Sequence, residues 1–283
     1  MAMYKDIALA VEGGGMRGAY SAGVLDVFLD NGLKFGACAG TSAGATHLCS
    51  YLSEQRERNK RLDIIHSASK RYMSWGNLIR TGDFFALDYC YNQIPRVVDP
   101  FDFEKFRENA VETKFYAVAT NLETGGPEYL LTRDLDKPED MDRIRASASL
   151  PLLSHIVDID GGVGDSIPFQ FFANMGYQKQ VVIVTQPESF VKKPNSMIPL
   201  FKIIYRKYPE FIEAARTRHI RYNQCRRTLE ERVAQGSAFM IRPSTQFKIS
   251  CFEKDKSKLV DLYDMGVKDA TTLMPKLLEF LEK

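Results

Sequence analysis

The sequence predicts an α/β fold in which a mostly parallel central sheet is flanked by helices. Residues 7–11, 35–39 and 180–185 are short, continuous apolar runs, the pattern of strands that are buried on both faces. Between the first two runs, residues 22–29 carry apolar side chains at helical spacing, and a glycine closes that stretch. Because parallel strands need such a crossover helix, we predict βαβ units.

The remaining elements follow in order along the chain. Residues 42–52 predict a second helix, and residues 56–112, rich in charged and aromatic side chains, predict helices that cover the sheet. Further strands are predicted at 114–119, 128–131, 157–159 and 238–241, and further helices at 138–149 and 255–283. Since no repeat or linker interrupts the pattern, we expect one domain over 1–283, with a core at about 5–185 and a basic helical and C-terminal extension, 186–283, packed on it.

Composition limits the classes of protein to consider. The 283 residues are 45% hydrophobic and 26% charged, which is typical of a globular chain. A net charge of +2 argues against a nucleic-acid partner. Five cysteines without a CxxC pair indicate reduced thiols. No apolar run approaches the roughly 18 residues of a membrane span, and the N-terminal stretch is a strand rather than a signal peptide. We therefore expect a cytoplasmic protein.

Residues 192–232 differ from the rest of the chain in charge. They hold eleven Lys or Arg against four Glu, a local charge of +7. One interpretation is a solvated helix face. The other is a surface that contacts anionic lipid headgroups, where each basic residue contributes roughly 1 kcal/mol, which would place the protein peripherally at a membrane.

The segment Gly40-Thr-Ser-Ala-Gly44 is a G-x-S-x-G motif between a predicted strand and a predicted helix. This context is typical of a nucleophile elbow, which places Ser42 on a sharp turn with its Oγ exposed. The positive N-terminal end of the following helix favours developing negative charge at that serine. The alternative is a glycine-rich turn whose serine only caps the helix.

A second glycine-rich loop follows the first strand. It matches G-x-G-x-x-G, but no acid ends the second strand to hold a ribose, so dinucleotide binding is disfavoured. We interpret the loop as an oxyanion hole, because parallel topology brings it next to Ser42. The residues of this loop are Gly13, Gly14, Gly15, Met16, Arg17 and Gly18.

A nucleophilic serine needs a base. His47 lies about 140° around the helix from Ser42, and the other histidines, His66, His155 and His219, lie in no triad-like context. Asp160, in Asp-Gly-Gly after a short predicted strand, is the stronger candidate. The ordinary aspartate pKa of about 3.9 is low for a base, but burial raises such values. No cluster of ligands at metal spacing occurs, so no metal or organic cofactor is expected.

Together, these three motifs resemble the patatin-like phospholipase family. The matching stretches are GGGMRG at 13–18, GTSAG at 40–44 and DGG at 160–162, within a similarity that spans roughly residues 5–185, and ASASLP at 146–151 is also similar. The resemblance implies a patatin-like α/β fold and a Ser–Asp dyad without histidine. It makes Ser42 the nucleophile and Asp160 the base, with an oxyanion hole from the backbone amides around Gly14, Gly15 and Met16, and with Arg17 supporting the loop.

One stretch departs from the family pattern. Only eight residues, 152–159, separate Pro151 from Asp160, so a hairpin that is common in the family is shortened here. A shortened hairpin would move Asp160 relative to Ser42, and Asp158 and Asp165 are the alternative acids.

The leading hypothesis is a serine acyl hydrolase that cleaves lipid carboxylic esters through an acyl-enzyme, in the manner of a phospholipase A or lysophospholipase. A short-chain esterase or thioesterase is the first alternative. The second is a non-catalytic, lipid-binding or regulatory relative with a disabled dyad. The helices of residues 56–112 are expected to cover the acyl chain.

Overall fold

The structure, a computed structural model, describes residues 2–69, 71–153 and 159–283. Within these residues a seven-stranded sheet forms the centre of the fold, with the order β4-β3-β2-β1-β6-β7 and with β5 paired to β3. The strands are β1 (Ala2–Val11), β2 (Leu33–Thr41), β3 (Lys114–Thr120), β4 (Pro127–Thr132), β5 (Ile159–Asp160), β6 (Lys179–Ile183) and β7 (Ala238–Ile241). Only β4 and β5 run antiparallel to their described neighbour. The predicted mostly parallel α/β sheet is confirmed.

Helices cover both faces of this sheet. They are α1 (Ala19–Asp30), α2 (Ala43–Leu52), α3 (Arg58–Arg61), α4 (Trp75–Thr81), α5 (Phe103–Glu112), α6 (Pro138–Ser147), α7 (Phe169–Asn174), α8 (Ile198–Ile204), α9 (Pro209–Ala234) and α10 (Lys256–Glu282). Gly15–Gly18 form one 3₁₀ turn, and Leu62–His66 and Tyr89–Val98 are wider, π-helical stretches. The described part of 56–112 is thus mainly helical, as predicted. Of the strand predicted at 157–159, residues 157 and 158 lie outside the described residues.

The central strand β1 places the loops that matter for function. Its last five residues are almost fully buried, because β2 and β6 flank it and helices cover both faces. Val11 at its carboxyl end pairs with Gly40 of β2 and with Ile183 of β6. The segments that follow these three strands therefore emerge together at one edge of the sheet.

The C-terminal residues belong to the same core as the N-terminal ones. Strand β7 extends the sheet beside β6. Helix α10 packs closely on α1, since a Cβ at Gly23 would lie 2.2 Å from the Tyr263 carbonyl oxygen. Two buried hydrogen bonds join the same helices, Tyr20 to Asp269 at 3.1 Å and Tyr263 to Asp26 at 2.6 Å. Glycine at position 23 is therefore required for this helix contact.

The opposite face of the sheet carries α7 and α9. Phe169 and Phe172 of α7 and Leu229 of α9 are fully buried there against alternate side chains of the strands. None of the helices in the described parts of the chain is both long enough and apolar enough to span a membrane.

Candidate active site

Ser42 lies on the turn between β2 and α2. Its backbone has φ 55° and ψ −122°, a strained conformation for a residue with a side chain. A Cβ at Gly40 would lie 2.5 Å from the Ala45 nitrogen, and one at Gly44 would lie 2.5 Å from the Val11 carbonyl oxygen. Only glycine fits at either position, so the motif forms the sharp strand–turn–helix elbow that its spacing predicts.

The glycine loop after β1 lies against Ser42. A Cβ at Gly13 would lie 3.2 Å from the Ser42 Cβ. Within the described part of the chain, the N–H groups of Gly14 and Gly15 have no protein acceptor. The Met16 N–H, by contrast, donates to the Cys251 carbonyl oxygen at 3.2 Å. Two uncommitted amides thus remain beside Ser42, at the start of a helical turn.

Arg17 holds the loop in shape. Its Nε donates to the Gly14 carbonyl oxygen at 3.2 Å, and its own N–H donates to the same oxygen at 3.3 Å. Because both bonds hold the Gly14 carbonyl oxygen, the peptide group that joins Gly14 to Gly15 is fixed in orientation. Gly15 has φ 55°, and a Cβ there would lie 2.5 Å from the Cys251 carbonyl oxygen. Gly18 is also tightly packed, since a Cβ at that position would lie 2.7 Å from His47 Cε1.

Asp160 lies at the end of β5 and is only 4% exposed. Its Oδ1 accepts from the Gly162 N–H at 2.8 Å. Burial raises the pKa of the Asp160 carboxyl, and the Arg218 guanidinium, the Ser42 hydroxyl and the Gly162 N–H oppose that rise. Among the described residues, Oδ2 has no hydrogen-bond partner of ordinary geometry. Since the Ser42 hydroxyl is among the groups that lower this pKa, it lies near the carboxyl, although no hydrogen bond of ordinary geometry reaches Oδ2 from the described residues.

Two serines at and just after the end of α6 connect the Ser42 turn to the Asp160 strand. The Ser42 N–H donates to Ser147 Oγ at 2.9 Å. The Asp160 N–H donates to the Ser149 carbonyl oxygen at 2.8 Å, and the Gly161 N–H donates to the Ser147 carbonyl oxygen at 3.4 Å. The segment 146–151, noted in the sequence only for its similarity, thus positions both candidate residues.

The alternative acids differ in their placement. Asp165 accepts hydrogen bonds from the Tyr129 hydroxyl at 2.8 Å and from the Ile167 N–H at 3.1 Å. Burial raises its pKa, and the hydrogen bond from Tyr129 opposes that rise. Asp158 lies outside the described residues, as does most of the shortened segment before Asp160.

Three histidines are described, and each interacts away from Ser42. His47 Nε2 pairs with Asp63 at 3.0 Å and His66 Nε2 with Asp99 at 3.4 Å. His219 Nδ1 lies 3.1 Å from the Arg216 carbonyl oxygen, on the surface of α9. His155 is outside the described residues.

A pocket of about 1060 Å³, including its open mouth, begins at Ser42 and runs along α2. Gly15, Met16 and Cys251 lie at the same end as Ser42. The walls are mainly apolar and aromatic, and they include Tyr72, Phe85, Cys90, Tyr91, Phe101, Leu135, Met141, Ile144 and Leu150. The cover expected from 56–112 therefore forms much of one wall. The polar residues that line the pocket include His47, Asp63 and Arg58. His47 pairs with Asp63, and Arg58 donates hydrogen bonds outside the pocket.

The family model of patatin-like phospholipases matches residues 9–173. The chain belongs to the patatin-like phospholipase family. This is a family of lipid acyl hydrolases, and the matched residues contain the Ser42 elbow, the glycine loop and Asp160. In the described residues, no group of three or more His, Cys, Asp or Glu side chains is arranged to hold a metal ion.

Two individual proteins and a second family model complete the comparison. The uncharacterized protein YjjU of Escherichia coli K12 is 30% identical over 241 residues, which are 73% of this chain and 64% of that protein. The chain thus spans less than two thirds of that relative's length. The crystal structure of VipD from Legionella pneumophila matches with 12% identity and a TM-score of 0.43, over 96% of this chain and 67% of that one. Residues 208–282 match a domain of unknown function.

In this patatin-like chain, a cluster of buried and partly buried charges that the sequence did not reveal lies near the dyad candidates. Glu12, 3% exposed, accepts from the Tyr222 hydroxyl at 2.7 Å and from the Thr185 N–H at 2.6 Å. Lys192 lies over the Tyr222 ring, 4.4 Å from its centroid. Burial, followed by the charges of Arg218 and Arg17, lowers the pKa of Lys192 to about 7.

The basic segment 192–232 therefore has two environments. Some of its cations are partly or fully buried, among them Lys192, Arg218 and Arg226. Others are exposed, including Lys193, Lys202, Arg206, Lys207, Arg216 and Arg227. Neither a wholly solvated face nor a wholly lipid-facing one describes it. The sequence does not predict which of these cations are buried. Buried and exposed arginines on one helix are the same residue type and follow the same helical spacing.

Proposed function

We propose that this protein is a serine hydrolase of lipid carboxylic esters that uses Ser42 as nucleophile and Asp160 as base. The observation that carries the proposal is the meeting of a strained serine elbow with a buried carboxylate whose Oδ2 has no partner among the described residues. A serine needs such an adjacent base to act as a nucleophile. The uncommitted amides of Gly14 and Gly15 supply the stabilisation of negative charge that acyl transfer requires.

The chemistry proceeds in two halves. Ser42 Oγ attacks the ester carbonyl carbon while its proton passes to the Asp160 carboxylate. The Gly14 and Gly15 N–H groups donate to the oxyanion, and the intermediate collapses as the leaving alkoxide takes the proton from Asp160. Water then attacks the acyl-Ser42 ester and gives its proton to Asp160. Collapse returns that proton to Ser42 Oγ and releases the carboxylic acid.

The pKa of Asp160 sets the pH dependence. The base works only as a carboxylate, so activity falls as the pH drops through its pKa. Because burial raises the pKa of Asp160, this loss is expected at a higher pH than for an ordinary exposed aspartate. The raised value also makes the carboxylate a stronger base than it would be in water.

The pocket supports a lipid rather than a short-chain substrate. A short acyl group would leave most of its apolar walls without contacts, whereas each buried methylene of a longer chain contributes about 0.8 kcal/mol. Tyr72, Phe85 and Tyr91 come from the cover, and Met141 and Ile144 come from α6. We therefore propose an acyl chain of a lipid as the occupant.

A patch on and around α8 supports contact with an anionic bilayer. Ile203 is 71% exposed and Ile204 is 55% exposed, and they lie beside exposed cations. The Tyr205 hydroxyl, directly after α8, accepts from the Leu152 N–H at 2.8 Å, next to the pocket residue Leu150. A bilayer bound there would lie near one wall of the pocket. Exposed apolar side chains among cations are typical of interfacial binding.

The proposal is tested by mass spectrometry after incubation with a fluorophosphonate. We expect one adduct, on Ser42, in the wild type, and none in Ser42→Ala. Asp160→Asn should slow labelling at least about a hundredfold, the lower range of general-base effects. Asp165→Asn is the matched control, a second, partly buried aspartate in the same segment, and should label at the wild-type rate.

Several outcomes would contradict the proposal. An adduct that persists in Ser42→Ala would remove the nucleophile assignment. Absence of any adduct on folded wild type would favour a non-catalytic lipid-binding protein. Loss of labelling in Asp165→Asn but not in Asp160→Asn would transfer the base role to Asp165. Turnover of p-nitrophenyl butyrate faster than that of p-nitrophenyl palmitate would favour a short-chain esterase.

A further inference from the structure

The C-terminal region, whose family model is a domain of unknown function, approaches the proposed dyad through Arg218 of α9. A Cβ at Gly162 would lie 2.6 Å from Arg218 Nη2 and 2.7 Å from Asp160 Oδ1. The two polar atoms are thus no farther apart than the sum of those distances. Glycine at 162 leaves the space between them open.

The Arg218 side chain has few described polar partners near it other than Asp160. Its single described hydrogen bond is a long one, 3.4 Å from Nη2 to the Ser166 hydroxyl. Its Nε is inaccessible to solvent and has no partner among the described residues. No carboxylate in the described chain forms a direct ion pair with it. A cation that is withdrawn from solvent without a direct partner is costly unless a nearby charge offsets it. Arg218 is partly buried, and Asp160 is the acid that raises its pKa most.

The other charged groups near Asp160 affect its pKa less than Arg218 does. Lys192, from the loop before α8, also lowers the pKa of Asp160, but less than Arg218 does. Lys192 itself has a pKa of about 7, so it stays charged at lower pH. Arg17 and Glu12 face Arg218 from the glycine loop and the end of β1. The Ser42 hydroxyl, which carries no charge, also lowers the pKa of Asp160.

A second contact joins the same region to the glycine loop. The Cys251 carbonyl oxygen accepts from the Met16 N–H, and Cys251 lines the pocket beside Ser42. This bond leaves Gly14 and Gly15 as the amides that point to no protein acceptor among the described residues. The region matched at 208–282 therefore approaches Asp160 and contacts the glycine loop.

We propose that this C-terminal region is a working part of the active site, in which Arg218 is a positioning residue that keeps Asp160 ionised and oriented toward Ser42. The inference rests on the proposed function, because it assigns Arg218 a role through Asp160. It gives the residues of unknown function a task that the residues matched at 9–173 do not perform by themselves.

The test is the pH dependence of fluorophosphonate labelling in the full-length chain. In Arg218→Met, the acid limb of the rate should move up by about one pH unit, the lower range for an aspartate that loses a neighbouring arginine. Labelling on that limb should then be about tenfold slower. Arg218→Lys keeps the charge and should restore most of the limb. Arg216→Met, an exposed arginine two positions away on the same helix, is the matched control and should leave it unchanged.

Gly162→Ala provides a second variant, because its methyl group would lie between Arg218 Nη2 and Asp160 Oδ1, 2.6 Å and 2.7 Å away, and would push the two groups apart. It should move the acid limb in the same direction as Arg218→Met. Thermal unfolding of every variant establishes that it is folded. Should Arg218→Met not fold, Gly162→Ala and Arg218→Lys decide the question.

The failures of the two proposals are distinguishable. Wild type without an adduct would remove the proposed function itself. A labelled wild type whose acid limb coincides with those of Arg218→Met and Gly162→Ala would overturn the role of Arg218 alone. An equal loss of rate at every pH, with no shift of the limb, would also overturn it, since that is the effect of a purely structural residue.

Discussion

The two sides of Ser42 differ in what they are made of. On the side of α2 and α6, the pocket walls are mainly apolar and aromatic, and the polar residues His47, Asp63 and Arg58 each have at least one partner. On the side of α9, buried Glu12 and Tyr222 form a charged cluster with the partly buried Lys192 and Arg218. We infer that one side binds the acyl chain while the other sets the ionisation of the base.

The two sides should therefore respond differently to substitution. Apolar walls interact without direction, so swaps that conserve volume cost less than about 1.5 kcal/mol. The charged side depends on specific partners: Glu12 accepts from both Tyr222 and Thr185, and removing one partner leaves a buried group unsatisfied. Four sets of variants test this contrast, beginning with the one expected to lose the most activity.

The greatest loss is expected at Gly15, where the two sides meet. Gly15→Ala adds a Cβ at φ 55° and 2.5 Å from the Cys251 carbonyl oxygen, so the loop must move. Fluorophosphonate labelling should fall by about 10²–10³-fold, the effect of losing an oxyanion donor. Gly236→Ala is the matched control, since it has φ 74° and open space around it. It should lower the free energy of unfolding by about 1 kcal/mol and leave the labelling rate unchanged. Equal losses of labelling in both variants would contradict the role of the glycine loop.

The pocket side is tested by filling it. Cys90, half-buried, lines the pocket, whereas Cys225, also half-buried, lies on the opposite face of the sheet. Cys90→Trp should lower the kcat/KM for p-nitrophenyl palmitate by about tenfold or more, through lost burial of several methylenes, with little change for the butyrate ester. Cys225→Trp should leave the ratio of the two esters at the wild-type value. An unchanged ratio in Cys90→Trp would place the acyl chain elsewhere.

The charged side is tested through stability. Because burial raises the pKa of Asp160, the native state holds its proton more tightly than the unfolded chain does. The contribution of this group is therefore most favourable below the unfolded pKa, and it is lost as the pH rises through the native pKa. Asp160→Asn removes the loss of stability that accompanies ionisation of the buried carboxyl. It should therefore raise the free energy of unfolding at neutral pH by roughly 1 kcal/mol. Urea unfolding at pH 7.5 measures it; a destabilised variant would show that the carboxylate is held more favourably than its burial implies.

A smaller change is expected on the surface. Ile203→Asp places a charge in the exposed α8 patch and should weaken binding to phosphatidylglycerol-containing vesicles about fivefold, or roughly 1 kcal/mol. Ile79→Asp, at an isoleucine that is 87% exposed on α4, is the matched control. Wild-type binding should also weaken as salt rises. Binding that ignores both Ile203→Asp and salt would remove the bilayer from the proposal.

Much of the catalytic geometry was predictable because it is local in sequence. The elbow at Ser42 follows from glycines two positions on either side of it, and the glycine loop follows directly from the end of β1. Parallel pairing then brings Val11 and Gly40 to the same edge of the sheet. Such features depend on backbone conformations that few residue types can adopt, so the sequence specifies them by itself.

Which distant residues complete the site became visible only in the folded chain. Arg218 and Arg216 look alike in sequence, yet one approaches Asp160 and the other pairs with Glu213 on the surface. Cys251 gave no sign that its carbonyl oxygen would bind the Met16 N–H. The physical reason is that burial, and with it the strength of a charge, depends on what packs around a side chain, which residue type and spacing do not record.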